Sequence, residues 1–177
     1  MMGSALDESV VDATASVDAV RDLWVRARAE GDTGRPLAAV RLAHRALRKL
    51  RRECPGAGAL HAWILLTLAY QHSELGHLAE AHSLLDQAEA IDPSIAPRAA
   101  TNRGGLLVRI GRPDEAIDHF NSAIIGLRGD RSPDVQAELA TALLNRGVLH
   151  MSAGDCMRPA LIPRRPRALV NRPVPRW

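Results

Sequence analysis

Apolar residues recur along the chain at intervals of three and four, in stretches divided by short polar or Gly/Pro-containing breaks, which is the pattern of amphipathic helices. Residues 17–30 place Val20, Leu23, Trp24 and Ala27 on one stripe, and Gly31-Asp32-Thr33-Gly34-Arg35-Pro36 ends it. Residues 36–53 carry Ala39, Ala43 and Ala46 on the next stripe, before the turn Cys54-Pro55-Gly56-Ala57-Gly58. Helices are then predicted over 60–74 and 78–91, closed by Asp92-Pro93-Ser94, and over 96–110 and 113–127. Pro113 suits a first helical position, and Asp114 and Glu115 are favourable in a first turn. After a connection at 126–133, Ser132-Pro133-Asp134 opens a helix running to about residue 153. Residues 1–16 hold no firm period and read as a flexible leader.

The pattern is also internally repeated. Gly76, Ala81, Leu85 and Ala88 return 35 residues later as Gly111, Ala116, Phe120 and Ala123. Ala39, Ala43 and Ala46 take the places of Ala81, Leu85 and Ala88 in an earlier copy that begins near Trp24, and Leu143, Arg146, Gly147 and His150 start a later one. A period in this range marks stacked units, none of which can bury its apolar face alone.

These residues resemble the tetratricopeptide repeat. Its first-helix pattern W-x2-L-G-x2-Y reads here as Leu65, Leu68, Ala69 and His72, then as Ala100, Arg103, Gly104 and Leu107. Its second-helix pattern reads Ala81, Leu85, Ala88 and Pro93, then Ala116, Phe120 and Ala123, with Arg128 in place of the proline. The small residues are kept and the first-helix aromatic positions are not. The resemblance implies an all-α, tetratricopeptide-like α-solenoid of antiparallel helical hairpins, with about three and a half repeats over residues 17–155.

In that family the first helix of each hairpin lines a concave surface. Carried over, the implied binding groove holds Trp24, Arg28, Trp63, Leu66, Tyr70, Ser73, Thr101, Gly105, Val108, Leu144, Val148 and Met151. Aromatic anchors in such a groove suit an apolar helix or an extended segment of another protein. The competing reading is that the rings merely seal contacts between hairpins. Family members that grip acidic chaperone C-termini use lysine and asparagine at these places; here Asn102 and Asn145 are neighbours in another register, so that clamp is not expected. The intervals of 42, 35 and 43 residues and the Gly-Arg-Pro turns are similar to repeat regions of large actinobacterial proteins, some preceding a CHAT peptidase domain and others in transcriptional regulators. That resemblance implies, as an alternative, a detached regulatory repeat region.

Composition agrees with helices. Phe and Tyr occur once each in 177 residues, and alanine and leucine carry most of the apolar content. No 18-residue apolar run is present, and the acidic start (Asp7, Glu8, Asp12, Asp18) lacks the order of a signal peptide, so no membrane span and a cytoplasmic location are expected. Six of the 23 basic residues fall in 156–177, where there is no acid, leaving 17 basic against 20 acidic groups before it. The net charge of +3 therefore belongs to this tail. Its prolines at 159, 163, 166, 173 and 175 forbid a full partner helix for the last repeat. The segment reads either as a disordered basic tail, through which nucleic acid could be touched, or as the product of a truncation or shifted reading frame. The uncovered last helix would then be open to self-association.

Catalytic chemistry finds little support. His72, His77 and His82 are spaced by five, which is expected to spread them around a helix-turn-helix, and H-E-x-x-H is absent. Cys156 and His150 have no orienting group, Cys54 reads as an unpaired structural thiol, and Gly104-Gly105 lies in a helix without a preceding strand, better explained by close packing than by phosphate binding. The sequence therefore predicts a non-enzymatic protein-interaction scaffold with no cofactor and no metal.

Overall fold

Each predicted break becomes a turn and each predicted stripe a helix. In a computed structural model that describes residues 3–152, with side chains from residue 14, the elements are α1 (Gly3–Asp32), α2 (Pro36–Glu53), α3 (Gly58–Glu74), α4 (Leu78–Ile91), α5 (Ala96–Arg109), α6 (Pro113–Leu127) and α7 (Pro133–Ser152). A 3-10 turn, Pro93–Ile95, leads into α5, and no strand occurs among the described residues. Residues 153–177, with Cys156 and the Arg/Pro tail, lie outside them.

One boundary is corrected. Helix α1 begins at Gly3, so residues 3–16, expected as a flexible leader, are helical. No proline or glycine interrupts the chain between positions 3 and 31. An apolar stripe reports which part of a helix is buried, and it cannot mark where an unburied extension starts.

Three pairs, α1 with α2, α3 with α4 and α5 with α6, are joined by three-residue turns that share one hydrogen-bond scheme. The N–H groups of Gly34, Gly76 and Gly111 donate to the carbonyls of Gly31, Ser73 and Val108; those of Arg35, His77 and Arg112 reach back to Glu30, His72 and Leu107, all at 2.9–3.1 Å. This is the six-to-one closure that satisfies the last carbonyls of a helix. It requires a left-handed residue, and Gly76 and Gly111 supply it at φ 79° and 76°. The alanine five residues beyond each glycine (Ala39, Ala81, Ala116) then makes the same early bond of the next helix.

The core is built on small residues. Ala27, Ala39, Ala43, Ala46, Ala62, Ala81, Ala88 and Ala99 have no accessible surface, which lets helix backbones approach closely. One apolar cluster runs from α1 into α5; a second, of Ala100, Ala123, Ile124 and Ala142 with Leu139 against it, joins α5, α6 and α7. In α5/α6 Gly104 stands against Phe120, at the places that Ala69 and Leu85 hold in α3/α4 35 residues earlier. A Cβ on Gly104 would sit 2.6–2.9 Å from three carbons of the Phe120 ring, so the glycine is set by the ring. Between pairs, the odd-numbered helices α1, α3, α5 and α7 touch in succession, while the even-numbered helices make no comparable contact with each other. That arrangement gathers the odd helices along one side.

His61, on α3, lowers stability in acid. Burial and then the charge of Arg51 push its pKa below the ordinary 6.5, and its Nε2 is buried without a partner. Protonation therefore favours the unfolded chain: the contribution is whole above about pH 6.5 and is lost as pH falls below it. The urea midpoint should drop between about pH 7.5 and 5.5, and His61→Gln should reduce that drop. An equal drop in the variant would exclude His61 as its source.

Candidate functional site

The side lined by α1, α3, α5 and α7 carries two adjoining hollows, of about 430 and 220 Å³, which share Tyr70, Thr101, Asn102 and Thr141. Ten of the residues expected in the groove line them. Trp24, Arg28, Trp63, Leu66, Tyr70 and Thr101 border the smaller hollow; Tyr70, Ser73, Thr101, Gly105, Val108 and Val148 border the larger. Leu66 and Ser73 form buried floor, whereas Tyr70 and Val108 stand out, 47% and 40% exposed.

Leu144 and Met151 are exceptions. They are 67% and 64% exposed yet border neither hollow, because α7 turns Thr141, Asn145 and Val148 inward instead. The stripe that α7 turns inward, Thr141, Asn145 and Val148, thus lies three residues before the Leu144, Val148 and Met151 inferred by carrying Thr101, Gly105 and Val108 forward. Asn102 on α5 and Asn145 on α7, which the sequence places out of the expected register, both stand on the wall of the larger hollow. Neither amide makes a hydrogen bond within the described residues. Their signal in the sequence is an asparagine at matching positions of two first helices, 43 residues apart.

The tryptophans are structural as much as exposed. Trp24 and Trp63 are half-buried with ring centroids 5.8 Å apart, and Trp24 Nε1 donates to Thr67 Oγ1 at 2.8 Å. Thr67 in turn donates to the Trp63 carbonyl at 3.0 Å. The Arg28 guanidinium lies 5.3 Å from the Trp24 ring, and that of Arg98 lies 4.5 Å from the Trp63 ring. Arg98 also pairs with Glu138, linking α5 to α7. A cation-ring-ring-cation stack therefore fastens α1, α3 and α5, and the expectation of a simply aromatic surface gives way to a braced wall with Tyr70 as its free ring.

Charge in the groove is nearly balanced. Arg98 faces Glu138, Arg109 faces Glu74, and Arg28 and Asp32 complete the set. Burial, reinforced by Glu74, raises the pKa of Tyr70 above its ordinary value, so its hydroxyl is a donor throughout the physiological range. The surface outside the groove differs: Arg41, Arg45, Arg48 and Arg52 project from α2 at spacings of four, three and four and are all exposed. Lys49 and Arg52 hold Glu53 by hydrogen bonds, and its pKa is lowered to about 2.

His72 and His77 are not spread apart as the spacing of five suggested. The turn at Gly76 folds them together, while His82 goes elsewhere, to Asp86 at 3.2 Å. Cys54 is a buried free thiol. No helix among the described residues is long and apolar enough to cross a membrane. Compared with models of known protein families and with curated proteins, the chain matches none.

Proposed function

We propose that the chain is a non-catalytic protein-binding scaffold, a tetratricopeptide-like solenoid whose groove along α1, α3, α5 and α7 holds an extended, apolar and largely uncharged segment of another protein. The observation that carries this reading is the pair of unpartnered amides, Asn102 and Asn145, beside exposed Tyr70 and Val108. An extended segment has main-chain N–H and C=O groups free to pair with side-chain amides, which a helix has already satisfied internally. The balanced charges argue against a strongly acidic or basic ligand, because Glu138 and Glu74 are paired with Arg98 and Arg109, and Arg28 offsets Asp32 in number.

Selection from a random peptide display library tests the proposal. The expected peptides are apolar, and their affinity should change little with added salt. Tyr70→Ala combined with Val108→Asp should weaken them by at least ~30-fold, the loss of about 2 kcal/mol typical of a central contact, with helicity retained. Undiminished binding by that variant would sink the reading. So would selection of acidic peptides whose binding falls with salt and is lost in Arg45→Ala/Arg48→Ala, since that places recognition on the α2 ridge.

A further inference from the structure

We propose that the turn between α3 and α4 is a binding site for a divalent transition-metal ion of the zinc class, held by His72 Nδ1, His77 Nδ1 and a carboxylate oxygen of Glu80. The three ligand atoms lie within 4.8 Å of one another. His72 Nδ1 is 3.3 Å from His77 Nδ1 and 3.3 Å from Glu80 Oε2. A tetrahedral ion with bonds of about 2.0–2.1 Å holds its ligand atoms about 3.3–3.4 Å apart, and imidazole with carboxylate is a donor set such ions accept.

Hydrogen bonding explains the cluster less well. One ring nitrogen carries at most one proton, so His72 Nδ1 cannot serve both neighbours as a donor, and 3.3 Å exceeds the usual 2.7–3.2 Å range for N–H···O. His72 is also buried, 6% exposed, with its Nε2 unpartnered and its ring edge-on to His44 at 6.3 Å. At the matching places in the next turn, 35 residues on, stand Leu107, Arg112 and Glu115, and there the last two form an ordinary ion pair. Only the α3/α4 turn replaces an apolar residue and an arginine with two imidazoles.

The backbone presents the ligands without distortion. The His77 N–H to His72 carbonyl bond of 2.9 Å brings residues five apart side by side, and Glu80 lies in the first turn of α4. Three protein ligands leave a fourth position for water or for a donor from a partner. Two imidazoles and one carboxylate favour copper, nickel and zinc over magnesium or calcium.

The test uses the full chain, made without a polyhistidine tag and stripped with chelator, titrated with Co²⁺ alone and then with Zn²⁺. One equivalent of Co²⁺ should give the intense visible absorption of a tetrahedral ion, and Zn²⁺ should displace it and raise the melting temperature. His77→Ala, at an exposed position, should weaken binding at least ~100-fold and abolish the thermal shift; Glu80→Gln should weaken it at least ~10-fold. His82→Ala should change neither. Lack of binding at millimolar metal, binding unaffected by His77→Ala and Glu80→Gln, or a thiolate-to-cobalt charge-transfer band would each overturn the assignment.

Discussion

Phe120→Ala is expected to destabilise the chain by about 3–5 kcal/mol, the range for removing a buried aromatic ring. Phe120 is the largest fully buried side chain among the described residues, and it fills the space that the missing Cβ of Gly104 leaves between α5 and α6. The converse change is informative because two effects oppose each other. Gly104→Ala gains about 1 kcal/mol of helix propensity. It also forces a methyl to within 2.6 Å of the ring, and overpacking of that kind costs about 1–3 kcal/mol, so destabilisation should win. Gly104→Ala with Phe120→Leu rebuilds the Ala69/Leu85 pair of the neighbouring hairpin, and should be more stable than the sum of the two single losses by at least about 1 kcal/mol. Urea denaturation of the four proteins measures this directly. Additive losses would mean that the two pairs are not equivalent.

Trp63→Ala is expected to cost about 3 kcal/mol, the lower end of the range for a large aromatic residue, since the ring is only half-buried. The loss reaches beyond its own area: Trp24 loses the ring beside it, and Arg98 loses the face beneath its guanidinium, weakening the tie between α1, α3 and α5. Tyr70→Ala, two turns further along the same face of α3 and 47% exposed, should change stability by less than about 1 kcal/mol. Under the proposed function, the two aromatic residues divide stability from recognition. Thermal unfolding of both variants beside their peptide affinities checks the division, and equal stability losses would refute it. For the same reason Trp63 is a poor probe of binding, as any loss of capture would be confounded with loss of fold.

Much of this was legible in the sequence, for reasons that can be stated residue by residue. Gly34, Gly76 and Gly111 each precede a helix by two residues, and only glycine adopts their backbone conformation without strain, so the turns could be read from identity alone. The alanine stripes gave the buried faces, because a helix that packs closely must be small where it touches. The start of α1 is not legible, because residues 3–16 are helical without carrying an apolar stripe.

The groove was legible only in outline. Ten of the expected residues border the two hollows, but Leu144 and Met151 do not, and Arg98, Asn102, Glu138, Thr141 and Asn145 do. A repeat offset transfers a position correctly only if each helix keeps the same rotation about its axis. Helix α7 is held by the small cluster around Ala142 and by the Arg98 pair with Glu138, and beside the expected Val148 it turns Thr141 and Asn145 inward instead of Leu144 and Met151.

By itself the sequence determined the helical character, the pairing and the turns, since these follow from periodicity, small-residue spacing and the conformational freedom of glycine within one repeat. Tertiary structure alone decided which tryptophans brace the stack, which amides face the groove and that His72, His77 and Glu80 converge. Those outcomes depend on how far each helix rotates and how a turn folds back on itself, quantities set by packing between helices that no local pattern encodes.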